Sequence, residues 1–415
     1  MRVGIVTEWF ERGSAVVSKS YDEVFRSHGF ETSVFARTEN TTKGQDLWTH
    51  SNLFVSRRSP FKTPKAIRKD DFLRWLEQFR PDIVLFNEQV WMCPVHWAQN
   101  FGALTVAYID YYTPSSIRSF AVYDLLLCNT ERHFSAFQWH PGALYFPWGT
   151  DLDQFFPRAR NRAAKDSGIV FLHSAGWSPE RKGTDLVLRA FAQVQDQAAR
   201  LIVSAQCPEQ HLQSLLGSEF GSLLTDPRVT LETGSSGPDL YRRADVYVYP
   251  SRLDGIGLTQ VEAIASGLPI VVPDEEPMRQ FSRAPFSRVV PVISRTTRAD
   301  GYFWPQVEVD VLVLATTMNY YVQNASARDV WRNSTRDYAE QHLNWWKNVD
   351  ALPGILLREV EKSHRSSTPR PTFACQLGGW LSVSENWVSR LVGDGIRFFR
   401  RIRGTLVLRR RTMSR

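Results

Sequence analysis

The feature that most constrains this chain is an alternation, repeated twice, of short and nearly continuous apolar runs with stretches of helical periodicity. In the first half RVGIVT (2–7) precedes residues 14–27, where Val16, Val17, Tyr21, Val24 and Phe25 recur at helical spacing, and Gly29 stands at a helix C-cap position before ETSVFAR (31–37). DIVLFN (82–87), ALTVAYI (103–109) and DLLLCN (124–129) follow. Runs this apolar belong to strands covered by helices on both faces, the environment of a parallel sheet. After the Pro- and Gly-punctuated passage 140–157 and the polar link RARNRAAKDSG (158–168), the pattern restarts with IVFLHSAG (169–176), RLIVSAQ (200–206), RVTLETG (228–234), DVYVYPS (245–251) and LPIVVPD (268–274). The expected fold is α/β, two Rossmann-like, doubly wound parallel-sheet domains facing a cleft, with ligands held where the carboxyl ends of the strands meet it.

Length agrees with this division, since 415 residues exceed one ordinary core. Hydrophobic residues at 43% and charged residues at 22% describe a globular rather than a disordered chain. Cys93, Cys128, Cys207 and Cys375 show no CxxC and no regular spacing, so neither a zinc site nor a disulfide framework is expected, and a reducing cytoplasm fits. The apolar run before Glu8 is too short for a signal-peptide core, and no window reaches the roughly eighteen apolar residues of a membrane-spanning helix. The C-terminal end accounts for the whole net charge of +7, since nine arginines in residues 390–415 oppose only Asp394 and the rest of the chain is near neutral.

Two segments carry candidate chemistry. In the first, DVYVYPS leads into Arg252-Leu253-Asp254-Gly255-Ile256-Gly257-Leu258-Thr259-Gln260-Val261-Glu262, a strand, a glycine turn and a helix start. Gly255 and Gly257 let backbone N–H groups approach an anion, and the helix N-terminus adds about half a positive charge, so a diphosphate suits the geometry. Asp254 and Glu262 can accept hydrogen bonds from sugar or ribose hydroxyls. Thr259 and Glu262 also fit a capping box, which would make the same residues purely structural. In the second, Gly176-Trp177-Ser178-Pro179-Glu180-Arg181-Lys182-Gly183 ends a strand and places two cations before a helix, an arrangement that opposes the helix dipole and calls for a counter-anion. A solvated surface loop is the alternative.

Both segments, in this order and spacing, resemble the donor domain of glycosyltransferase family 4, retaining enzymes of the GT-B fold. The family pattern of two glutamates with seven residues between them around a GFGL-like turn appears here as DGIGLTQVE (254–262), flanked by RRADVYVYPS and ASGLPIVV, with SPERKGTDLVLRAF upstream and PWGTDLDQFFP at the domain junction. YAEQHLNWWKNV (338–349) is similar to the family's C-terminal helix, which crosses back to the first domain. The implied organisation is an acceptor-side domain at 1–157, a donor domain at 158–335, the crossing helix at 336–363, and a linker with a basic tail at 364–415.

By this resemblance Glu262 holds the donor ribose, Asp254 contacts the transferred sugar, Gly255, Ile256, Gly257, Leu258 and Thr259 offer backbone contacts to sugar and phosphate, and Lys182 neutralises the diphosphate leaving group. Gly13 and Ser14, after the first strand, match the family's glycine-bearing loop, although Ser14 equally suits a plain N-cap. Three departures stand out: Asp254 is one methylene shorter than the family's Glu; Trp177 replaces a common Arg, with Arg181 as a substitute; and Asp110 falls near a position where many members carry His, either orienting an acceptor hydroxyl or serving a buried structural role. His133, His140, His173 and His211 sit in no constellation and receive no role.

The implied function is transfer of a sugar from a nucleoside diphosphate sugar to a hydroxyl acceptor, free or lipid-linked, in making surface polysaccharide or glycolipid, with no metal or other cofactor. A catalytically weak or inactive relative that binds nucleotide sugar or a partner is the alternative. A dinucleotide oxidoreductase is disfavoured because no strand leads into GxGxxG. In residues 388–415 apolar positions interleave with arginines, which suits an anionic membrane surface and a peripheral place on the inner face of the cytoplasmic membrane. A disordered basic tail is the other reading; nucleic acid is disfavoured for want of stacking aromatics.

Overall fold

A computed structural model describes residues 1–37, 48–59, 65–157, 168–234 and 237–365. The tail assigned to membrane contact lies outside the described residues.

The first sheet holds β1 (Arg2–Thr7), β2 (Glu31–Ala36), β3 (Leu53–Val55), β4 (Ile83–Asn87), β5 (Leu104–Tyr108), β6 (Leu125–Cys128) and β7 (Ala143–Tyr145). Their order is β3-β2-β1-β4-β5-β6-β7, every pairing is parallel, and the register runs from Arg2 opposite Glu31 to Thr7 opposite Ala36. Every residue of β4, β5 and β6 is buried, as their continuous apolar sequences require.

The second sheet contains β8 (Val170–Gly176), β9 (Arg200–Ala205), β10 (Val229–Thr233), β11 (Val246–Val248), β12 (Ile270–Pro273) and β13 (Arg288–Val290), in the order β10-β9-β8-β11-β12-β13, again all parallel. In both sheets the strand order reverses beside the first strand, where doubly wound folds place ligands. The expected pair of parallel-sheet domains is therefore what the chain forms.

One element has no counterpart in the sequence expectation. β14 (Val292–Thr296) and β15 (Gln306–Val309) form an antiparallel hairpin with a register shift between Val292 and Ser294. Its base joins the second domain, where the Val307 amide donates to Arg252 O (2.8 Å) and Arg252 pairs with both Glu308 and Asp185. Its tip crosses to the first: the Phe303 amide donates to Tyr112 O (2.9 Å), the Tyr302 hydroxyl to Asp110 O (3.0 Å), and the Tyr302 ring stacks on Tyr111 at 5.4 Å.

The chain also crosses back after the helix Arg328–His342. Thr150 and Asn344 form an isolated parallel bridge, and Trp345 packs on Trp148 (4.4 Å) and Tyr21 (5.2 Å) while its indole N–H donates to Ser20 O. Leu352 and Leu356, of the helix Leu352–Arg365, join a core that also holds Val3, Ile5 and Tyr108 of the first domain.

Candidate functional site

The donor-side motif forms as a strand, a turn and a helix. After β11 the backbone passes Asp254 and Gly255 to Gly257, whose φ of +82° requires a residue without a Cβ, and the helix Leu258–Ala265 begins with Gly257 as its N-cap. The capping box is therefore absent. Thr259 lies inside the first turn, where its Oγ1 accepts from the Tyr247 hydroxyl (2.7 Å), and Glu262 Oε2 accepts from the Tyr241 hydroxyl (2.5 Å). Burial raises the Glu262 pKa, opposed by Tyr241 and Lys182. Ile256 faces the core, so it offers only backbone to a ligand, and its carbonyl already accepts from Gln260 Nε2 (3.1 Å).

The turn expected between the strand and the helix takes the form of a single helical turn, Pro179–Lys182, closed by Gly183 at φ +74°, rather than a solvated loop. A Cβ on Gly183 would collide with the Pro250 carbonyl, so glycine here lets this turn lie directly on the end of the β11 segment. The contact brings the cations to the donor turn. Lys182 Nζ donates to Asp254 Oδ2 and to the Tyr249 hydroxyl, and Arg181 Nη1 lies 3.4 Å from Asp254 Oδ2 while donating to Leu253 O (2.6 Å). The counter-anion sought by the sequence is thus Asp254 itself. Burial works against ionisation of Asp254, but Lys182 and Arg181 prevail and hold its carboxyl below the carboxylate range. Burial also pushes the Lys182 ammonium down to about 8, against the pull of Asp254. Trp177 is half exposed, leaving Arg181 as the second cation.

The first domain meets this site from the opposite side. The helix Gly13–Ser27 has Arg12 as its N-cap, so Ser14 sits within the first turn and the plain N-cap reading falls away. A Cβ built on Gly13 would touch Leu258 Cδ1 at 3.9 Å, so the N-termini of two helices converge across the cleft, each a centre of positive potential. Asp110 follows β5 and faces Gly255 so closely that a Cβ there would strike its carboxylate. It hydrogen-bonds to Glu88, and burial together with the Glu88 charge raises its pKa well above the ordinary value. Glu88 in turn pairs with Lys65 (3.0 Å), which also holds Glu8 (2.9 Å).

Sequence reasoning assigned nothing to His133, yet it borders the same turn. Gly255 O can only accept, so His133 Nε2 carries the proton toward it (3.2 Å), leaving Nδ1 to accept from the Tyr112 hydroxyl (3.1 Å), whose oxygen accepts from the Trp304 indole (2.6 Å). Burial lowers the His133 pKa to about 3, which agrees with this neutral form. Arg132 donates to the carbonyls of Asp254 and of Glu276 (2.5 Å) and lies 5.0 Å from the Trp304 ring. Arg132 and Asp254 are 122 residues apart in sequence, so no local signal could join them. Tyr241, Tyr247 and Tyr249 were also missed; the alternation VYVYP puts Tyr247 and Tyr249 on one strand face, but that pattern is equally one of core packing. Among the described residues no group of three or more His, Cys, Asp or Glu is placed to hold a metal ion, and no helix is long and apolar enough to cross a membrane.

Comparisons with known proteins bear on the same region. Residues 168–282 match the family model described as Glycosyl transferases group 1. The D-inositol 3-phosphate glycosyltransferase 1 of Catenulispora acidiphila is 32% identical over 148 residues, 30% of this chain and 33% of that protein. The lipopolysaccharide core biosynthesis mannosyltransferase LpsB of Rhizobium meliloti is 29% identical over 136 residues, 30% of this chain and 39% of that protein. The chain thus spans well under half the length of the curated relatives it matches. Among solved structures, Anabaena HepE in complex with UDP and glucose superposes with a TM-score of 0.65 at 14% identity, covering 86% of this chain and all of that one, a likeness of the GT-B fold.

Proposed function

We propose that the chain, whose residues 168–282 match the family model of the group 1 glycosyl transferases, transfers a sugar from a nucleoside diphosphate sugar to a hydroxyl acceptor with retention of configuration. The observation that carries this reading is the meeting of Lys182, Arg181 and two helix N-termini over one small volume, with Glu262 one turn further along and held by Tyr241. Positive potential gathered in one place suits a diphosphate and stabilises the charge that develops as it departs. Lys182 and Arg181 supply that neutralisation, so the reading invokes no metal ion. Glu262, with one oxygen engaged by Tyr241, retains acceptor capacity for a ribose diol. To Asp110, opposite Gly255 and hydrogen-bonded to Glu88, this reading assigns the orienting of an acceptor hydroxyl.

The relatives named above act on inositol phosphate or in lipopolysaccharide core synthesis by their names, which supports a role in cell-surface polysaccharide or glycolipid synthesis. A lipid-linked acceptor would place the protein at a membrane surface, and the arginine-rich stretch 388–415 suits the anionic headgroups there. The competing reading, a nucleotide-sugar binder without turnover, is favoured by one observation: the Asp254 carboxylate is engaged by Lys182 and Tyr249.

Calorimetry with UDP, GDP and ADP, followed by product analysis over a donor panel with the anomeric configuration read by NMR, tests the proposal. Binding of a nucleoside diphosphate that Glu262→Ala weakens about tenfold or more is expected, together with a retained anomer in the product. Binding without product from any donor would support the competing reading, and an inverted anomer would overturn retention.

A further inference from the structure

Three buried tyrosines, Tyr241, Tyr247 and Tyr249, line the underside of the donor turn, with ring centroids 6.0 Å and 5.5 Å apart in succession. Each phenol donates to a different residue of the motif: Tyr241 to Glu262, Tyr247 to Thr259 and Tyr249 to Asp254. Carboxylates only accept, so the direction at Asp254 and Glu262 follows from chemistry.

The two carboxylates differ in what remains free. For Glu262 the tyrosine is the one hydrogen-bond donor named above. At Asp254, Oδ1 accepts the Gly255 amide (3.0 Å), while Oδ2 accepts Lys182 Nζ and the Tyr249 hydroxyl and lies 3.4 Å from Arg181 Nη1. A carboxylate offers about four lone-pair directions, and here both at Oδ2 are filled by Lys182 and Tyr249 while Oδ1 gives one to the Gly255 amide. The Lys182 ammonium also lies over the Tyr249 ring, 4.8 Å from its centroid, so the phenol touches both members of the ion pair.

Resting on the donor-site reading above, we propose that Tyr249 is a positioning residue of the donor site. Its hydroxyl pins Asp254 against Lys182 and Arg181, so that Asp254 is the fixed counter-charge that aims both cations at the diphosphate rather than a ligand of the transferred sugar. The missing methylene at position 254 then has a physical meaning: the shorter side chain draws the carboxylate back beneath the cations.

A double-mutant cycle with Tyr249→Phe and Asp254→Asn tests this, read by calorimetric UDP and GDP affinity and by relative turnover of two donors that share a nucleotide and differ in one sugar hydroxyl. Tyr249→Phe should weaken binding of the preferred nucleoside diphosphate about tenfold, and the double variant should bind no worse than Asp254→Asn alone. The ratio of turnover between the two donors should stay unchanged in every variant. Tyr247→Phe, from the same tyrosine row but bonded to Thr259, should show no coupling to Asp254→Asn. Additive losses, or a changed sugar preference in Asp254→Asn with UDP and GDP affinity intact, would overturn the proposal. Should Tyr249→Phe lower the melting temperature, Asp254→Glu provides a second route, since lengthening the side chain should displace the phenol and reduce affinity by a similar factor; unchanged affinity counts against the proposal. Absence of nucleoside diphosphate binding by the unaltered protein would overturn the donor-site reading itself, and this proposal with it.

Discussion

Residues 181, 182 and 254 form a charge cluster whose behaviour follows from burial. An ammonium withdrawn from water favours its neutral form, and Asp254 offsets only part of that cost, which places Lys182 near pH 8 instead of above 10. A diphosphate prefers the protonated form. Nucleoside diphosphate affinity should therefore be full below about pH 8 and fall as pH rises through that value, and Lys182→Arg, charged throughout the range, should remove this dependence. Calorimetry at four or five pH values between 7 and 9.5 would show it; an unchanged profile in the arginine variant would assign the titration to another group.

The same residues show what local sequence can and cannot reveal. Glycines beside acids mark a turn because few other residues allow its backbone, so Gly255 and Gly257 were legible. The tyrosines were not, because aromatic residues in a strand satisfy core packing whether or not their hydroxyls have a task. Asp254 was found, yet which way its carboxylate turns depends on Lys182 and Tyr249, one of them 72 residues away.

Among the elements, the central strands of both sheets were legible since burial on both faces forces continuous apolar sequence, as in IVLFN at Ile83–Asn87. The edge strands β3, β7 and β13, three residues each, fall below the length at which periodicity has meaning. The short turn Pro179–Lys182 depends on one glycine. Gly183→Ala would meet the Pro250 carbonyl while holding alanine at a φ of +74°. Both effects oppose folding, so the variant should lose about 2 kcal/mol or more in thermal or urea denaturation, well beyond a surface substitution. Gly221→Ala, where nothing lies within 4 Å, is the control that should remain near neutral.

On the scale of the whole molecule, the two domains are joined by more than their chain crossings. Arg132, His133, Tyr112 and Trp304 form a continuous polar path from the hairpin tip to the backbone of the donor turn. Trp304→Ala removes the indole that donates to Tyr112 and the ring beneath Arg132, so hydrogen exchange of amides around 110–112 and 254–257 should quicken together while the strands β4 and β9 keep their protection. Exchange confined to the hairpin would show that the path does not couple the domains. Truncation after residue 365 should leave nucleoside diphosphate affinity unchanged and reduce flotation with anionic liposomes; equal flotation would assign any membrane contact to the folded body.

The hairpin also bears on how donor preference can be re-engineered. Its base is anchored to Arg252, two residues ahead of Asp254, while its tip rests on Tyr111 and Tyr112 of the other domain. A donor domain grafted from a relative would arrive with a hairpin shaped for a different surface, or with none. Modular exchange in this protein is therefore a matter of three segments rather than two, and a working chimera would have to carry residues 110–112 along with the domain that selects the nucleotide sugar.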